Sequence, residues 1–348
     1  MENNNFVFNN GYQSYGYQPN MDRYYEQQRE KKNDKKILKT IGAACGLSIV
    51  VYFLGSMVIG LIIALLYNKI PDISLVFEEG IGAWAFSAVL TILFIGIPFL
   101  ISYIVLRKKK IAGILPLGTT YNKKASICLV AFFLPLTLIS TFAVNIVSIL
   151  VQSMLGINFS SGMEDLAVFS VSDFLFMTLT VAIIPAILEE ITIRGVLLQP
   201  LRRFGDKFAI FVSALIFSLL HGNMVQVPYT IVAGIYFGYV AVATGSIWPS
   251  IILHFFNNFY SVVVTTASSN LSVGAANVVT IAILTVMVCV GIYAFIIYKK
   301  INYKVKLAKG VNSLKLSEKT KAVFVNMPMI IAIIIMVITT LSSISSES

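Results

Sequence analysis

Nine stretches of the chain are apolar enough to enter a bilayer: about 38–67, 84–106, 125–152, 174–201, 208–222, 228–244, 246–263, 276–298 and 322–343. A spanning helix needs about 20 mostly apolar residues at 1.5 Å per residue. The pattern therefore predicts eight or nine spans, with several central ones short or interrupted by polar residues. Residues 1–36 break the pattern: an Asn-, Tyr- and Gln-rich stretch leads into a charged REKKNDKK run. No apolar core of signal-peptide type precedes the first span, so this segment reads as a disordered tail. The expected fold class is all-α, a polytopic transmembrane helix bundle with a disordered N-terminal tail. Its predicted organisation is a tail over 1–36, N-terminal transmembrane helices over 37–173, a core over 174–263 and C-terminal transmembrane helices over 264–348.

Composition agrees. Of 348 residues 57% are hydrophobic and 12% charged, whereas a soluble domain carries about 25% charge. A water-facing surface cannot be built from this chain, which excludes a soluble enzyme and a disordered protein. Cys45, Cys128 and Cys289 each lie inside an apolar run, so neither a disulfide framework nor a cysteine metal site is indicated. The net charge of +10 sits in short clusters between spans. Arg107 to Lys110 with Lys123 and Lys124, then Arg202, Arg203 and Lys207, then the lysines of 299–321, all fall on the same side as the basic tail. Asp72, Glu78, Glu79, Glu164 and Asp165 fall on the other. That is the positive-inside pattern rather than a nucleic-acid surface. It predicts a multi-pass plasma-membrane protein with a cytoplasmic N-terminus, the bilayer as a partner and no nucleic acid.

Ionisable residues inside spans are costly and mark functional sites. The fourth run, VAIIPAILEEITIRGVLLQPLRRF, holds Glu189, Glu190 and Arg194. The two histidines of the chain, His221 and His254, both lie in apolar runs. Counted from Arg202, the glutamates lie about 18–20 Å deep, and counted from the expected cytoplasmic ends at about 207 and 246, the histidines lie roughly 21 and 12 Å deep. One intramembrane site follows. Glu190 and Arg194 are four apart and can pair, while Glu189 is rotated by about 100° and stays free. A free, desolvated carboxylate suits a general base. His254 and Asn258 share a face and offer two donors, as an oxyanion hole requires. Phe217 and His221 share a face on the fifth run. No motif places a nucleophilic Ser or Cys, which leaves water as the nucleophile.

EExxxR at Glu189, Glu190 and Arg194, FxxxHGN at Phe217 to Asn223, and TGSIWPSIILHFFNN at Thr244 to Asn258 resemble the CPBP family of intramembrane proteases. These are relatives of the CAAX prenyl endopeptidase Rce1 and of bacteriocin-processing Abi proteins. The resemblance covers roughly 174–263. Ile193 stands where the family often has Phe, and Thr192 where an apolar residue is common. The resemblance implies that Glu189 and His221 activate the attacking water, that His254 and Asn258 stabilise the oxyanion, and that Glu190 with Arg194 supports the site. It implies a peptide-bond hydrolase whose substrate is a membrane-associated peptide or a lipidated protein. No metal or other cofactor is favoured; the alternative is zinc held by Glu189, His221 and His254. The alternative functions are a non-catalytic immunity-type membrane protein and a proton-coupled transporter, for which buried Glu and His would also serve.

Overall fold

The computed structural model describes residues 19–67, 69, 80–160, 168, 170–311 and 313–346. It is 82% helical with almost no sheet. Helix α1 runs over Pro19–Tyr67. Helix α2 begins as Gly80–Thr91, passes through a π-helical turn at Ile92–Gly96 and continues as Ile97–Lys108. Helix α3, Lys123–Leu155, starts where the Asn122 side chain accepts from the Ala125 amide and stops at Gly156, whose φ of 62° is the left-handed conformation that ends helices. Helix α4, Val171–Phe204, starts on a capping box between Ser170 and Asp173. Then follow α5 (Asp206–Leu219), α6 (Val227–Thr244), α7 (Trp248–Asn270), α8 (Val273–Lys300), α9 (Leu316–Phe324) and α10 (Met327–Ser342). The strands β1 (Ile157–Phe159) and β2 (Ile344–Ser346) pair antiparallel, Asn158 opposite Ser345.

All nine apolar runs are helical, but not all are spans by length and apolarity. Six helices qualify, or seven if α9 and α10, bent by 81°, count as one. The reduction from eight or nine falls on α5 and α7. Fourteen residues of α5 rise only about 21 Å. The 23 residues of α7 are long enough but carry Ser250, His254, Asn257, Asn258 and a Thr/Ser-rich end. The outward faces of the others stay apolar, Leu54, Met57 and Leu61 on α1 and Val278, Ile281 and Ile292 on α8 being exposed, as are Phe211 on α5 and Trp248, Ile252 and Phe256 on α7. Lipid must cover them.

The tail is a second correction. Residues 19–36, expected within the disordered segment, are the first turns of α1, while 1–18 lie outside the described residues. The REKKNDKK run is made largely of good helix formers, and its charges are tied down. Lys31 and Lys35 reach Glu318 Oε1 at 3.0 and 2.9 Å, and buried Asp34 accepts from Arg203 Nη2 at 2.8 Å and from Ser313 Oγ at 2.5 Å. The acidic loop residues Asp72, Glu78, Glu79, Glu164 and Asp165 also lie outside the described residues.

The core sits among α1, α4, α5 and α6, where Leu38, Ile41, Ile193, Leu197, Phe204, Phe217 and Phe237 are buried. The turn between α6 and α7 is inset rather than at the surface. The segment between α2 and α3 covers it: Ile247 N donates to Pro116 O and Tyr121 N to Thr244 O, both at 2.9 Å, and Ser246 Oγ to Gly118 O at 2.8 Å. That inset moves His254 deeper than its count from residue 246 implies, and so level with Glu190.

Helix α1 touches the α9–α10 bend backbone to backbone. A Cβ on Gly46 would lie 2.5 Å from the Met329 amide nitrogen and 2.6 Å from its Cα, whereas one on Gly60 would meet nothing within 4 Å. Gly46→Ala is expected to destabilise the protein by about 1–3 kcal/mol through overpacking. Gly60→Ala, gaining helix propensity without a clash, should leave stability equal or higher. Thermal unfolding of the two variants in the same detergent checks the difference; equal melting temperatures would contradict this packing.

Candidate active site

Helix α4 is irregular where it carries chemistry. It is π-helical over Thr178–Ile183 and again over Ile191–Leu198, on either side of Ile184–Glu190. Pro185 has no N–H to give to the carbonyl four residues back, that of Val181. This carbonyl instead accepts from Asn258 Nδ2 at 3.1 Å. A proline in one helix thus anchors the amide of another.

The Glu190–Arg194 pair forms as the spacing predicts, and both side chains are 0% exposed. Arg194 Nη1 donates to Glu190 Oε1 at 2.8 Å, and Nη2 donates to the Gly234 carbonyl of α6 at 3.0 Å. The guanidinium lies over the ring of Phe217 at 4.5 Å and of Phe237 at 5.4 Å. Glu190 also receives Ser250 Oγ on Oε2 at 2.7 Å and lies 3.1 Å from His254 Nδ1. Gly234 lets α6 come this close, since a Cβ there would meet Ala214 Cα of α5 at 3.1 Å. Side chains or backbone of α4, α5, α6 and α7 therefore meet at one guanidinium and one carboxylate.

A carboxylate only accepts, so His254 Nδ1 carries a proton, and Nε2 accepts when it carries none of its own. Asn258 Nδ2 lies 3.2 Å from that Nε2. Both hydrogens of the Asn258 amide are then in use, one on Val181 O and one on His254. The expected pair comes together, but the Asn258 N–H groups are turned to His254 and to the backbone, and the Nδ1–H of His254 to Glu190, rather than to an open space. His254 is stacked on Phe237 with ring centres 4.8 Å apart.

Glu189 points elsewhere, as its rotation from Glu190 requires. Its side chain is 21% exposed, with Oε2 3.9 Å from His254 Nε2. It lines a cavity of about 180 Å³ with His221, Tyr52, Thr192, Ile95, Phe99, Ile193, Phe217 and Leu220. His221 Nδ1 lies 2.9 Å from the Phe217 carbonyl, which only accepts, so Nδ1 is the protonated nitrogen and Nε2 the acceptor. Phe217 stands edge-on to His221 with ring centres 4.9 Å apart. Glu189 and His221 thus share a small, mostly apolar chamber, with His254 and Asn258 on the other side of Glu189.

The alternative zinc set does not fit this arrangement. Among the described residues no group of three or more His, Cys, Asp or Glu is placed to hold a metal ion. The nitrogens of His254 face Glu190 and Asn258, and His221 faces the cavity from a different side.

Three contributors were not singled out from the sequence. Ser250 lies four residues before His254, so their common face could have been read from the spacing. Phe237 and Tyr52 carry no local signal, because they reach the site only through helix packing.

Residues 171–260 match the family model described as type II CAAX prenyl endopeptidase Rce1-like. No curated protein and no solved structure matches the chain. The matched residues contain α4 to most of α7, with Glu189, Glu190, Arg194, His221, His254 and Asn258 all inside them. Through this segment the chain, a multi-pass membrane protein, is similar to the Rce1-like family.

Proposed function

We propose that the chain is an intramembrane endopeptidase that hydrolyses a peptide bond of a membrane-associated peptide or lipidated protein. The observation that carries this reading is the shared chamber of Glu189 and His221. A carboxylate and an imidazole Nε2 are both acceptors, and a water molecule has two hydrogens to give. Glu189 takes one proton as the water oxygen bonds to the carbonyl carbon. His221 Nε2 accepts the other hydrogen and fixes the direction of attack. Glu189 then returns its proton to the leaving nitrogen as the C–N bond breaks.

The tetrahedral oxyanion needs donors. On this reading Asn258 supplies an N–H after an exchange, in which it leaves His254 Nε2 for the substrate oxygen, and His254 adds a second donor in the form that carries a proton on Nε2 as well as on Nδ1. Glu190 and Arg194 hold that histidine in place and take no direct part. The basic loops and the N-terminus face the cytoplasm of a plasma membrane, by the charge distribution already described.

The reaction is tested by comparing membrane-protein and peptide termini, by mass spectrometry, in cells making the wild-type chain or Glu189→Gln. Glutamine keeps the size and removes the base, so termini made by the wild type should fall by at least about 10²-fold at equal protein abundance. An identical set of termini would refute the protease reading. Arg194→Ala is expected to act on folding instead. It strands Glu190 without its cation, a cost of about 3–5 kcal/mol, and should lower abundance and melting temperature. The double variant Glu190→Gln with Arg194→Met, which buries no charge, should recover much of the abundance. A stable, abundant Arg194→Ala protein would contradict the supporting role.

A further inference from the structure

The chamber holds a polar group that the matched segment does not contain. Tyr52, on α1, lines it together with Glu189 and His221. Its neighbour Phe53 lies beside the loop that follows His221, within 3.6 Å of where a Cβ on Gly222 would sit. The Glu189 charge is near enough to act on the phenol. Among the described residues the Tyr52 hydroxyl makes no hydrogen bond, and it is not among the polar atoms sealed off from all space.

The remaining polar groups of the chamber are spoken for. Thr192 Oγ1 donates to the Glu189 carbonyl at 3.0 Å. His221 Nδ1 is given to Phe217 O, and its Nε2 accepts. Glu189 accepts when ionised. The other walls, Ile95, Phe99, Ile193, Phe217 and Leu220, are apolar. A carbonyl oxygen entering this chamber therefore finds two acceptors and one uncommitted side-chain donor. The Asn258 amide, by contrast, must first break a bond to His254.

We propose that Tyr52 is a further catalytic residue, whose phenol O–H donates a hydrogen bond to the carbonyl oxygen of the scissile peptide bond and stabilises the oxyanion formed there. The phenol keeps its proton throughout; no covalent bond to Tyr52 forms or breaks. The inference rests on the protease reading, since it presupposes a carbonyl attacked in this chamber. Tyr52 itself lies outside the matched segment, because α1 ends more than a hundred residues before residue 171.

The test uses the full chain and the termini whose appearance requires Glu189, with synthetic peptides spanning those cut sites for kinetics. Tyr52→Phe removes one oxygen and should lower kcat by about 10²-fold, the effect of losing one oxyanion donor, with KM little changed. Incorporating 3,5-difluorotyrosine at position 52 restores a donor and makes it a stronger acid. It should recover most of the lost kcat and move the alkaline limit of activity to lower pH, a shift that a purely structural role would not produce. Wild-type kcat in Tyr52→Phe, with Glu189→Gln inactive, would overturn the role of Tyr52 and leave the protease intact. A rise in KM alone, or a loss that difluorotyrosine neither rescues nor shifts in pH, would equally overturn it. Termini unaffected by Glu189→Gln would instead sink the protease reading itself.

Discussion

Burying a guanidinium and a carboxylate with no exposure at all sets the terms for the middle of this molecule. Each charge alone would cost several kcal/mol to take from water. Both are tolerable here because nearly every polar atom is matched: Arg194 to Glu190, the Gly234 carbonyl and two aromatic faces, Glu190 to Arg194, Ser250 and His254. The exception is Arg194 Nε, which has no partner among the described residues. Such a pair adds little net stability compared with apolar packing, but it penalises misplacement heavily. A shift of α6 or α7 by one residue would strand a charge. The pair therefore fixes the register of four helices.

Fixing Glu190 in this way defines its neighbour. Consecutive residues on a helix cannot share a direction, so a Glu190 saturated on one side leaves Glu189 facing a chamber on another. The same logic runs through Pro185. A helix that lacks one N–H must give its freed carbonyl to something, and Val181 O receives Asn258. The π-helical turns on either side of Ile184–Glu190 accommodate these demands, as such turns often do at functional sites. Reactive and supporting groups are thus two outputs of one irregular helix.

Much of this could be read from the letters. Apolar runs located every helix except α9, which lies mostly ahead of the run at 322–343, and the i, i+4 spacing gave the Glu190–Arg194 pair and the common face of His254 and Asn258. What escaped depends on long-range packing. The REKKNDKK charges read as solvated until Asp34, Lys31 and Lys35 find Arg203, Ser313 and Glu318, partners more than 160 residues away. Depth counted from loop charges placed His254 too shallow, because nothing local says that the turn at Thr244–Trp248 is covered by the segment around Pro116 and Gly118. His254 and Asn258 were read as an open oxyanion hole, since spacing shows which side chains are neighbours but not whether their hydrogens are already given to other groups.

The division of labour between the matched helices and the rest follows from the same geometry. Residues 171–260 contribute both carboxylates, the arginine, both histidines and Asn258, yet they do not close the chamber. Tyr52 comes from α1, and Ile95 and Phe99 come from α2. Ile95 itself sits in the π-helical turn Ile92–Gly96, whose Gly96 lies against Leu188, one residue from Glu189. A group presented to Glu189 must therefore pass side chains that the matched segment does not specify. The proposed reactive groups belong to α4, α5 and α7, while the shape and polarity of the space before them are set jointly with α1 and α2. Helices that carry no ionised group at the site still decide what the carboxylate can reach.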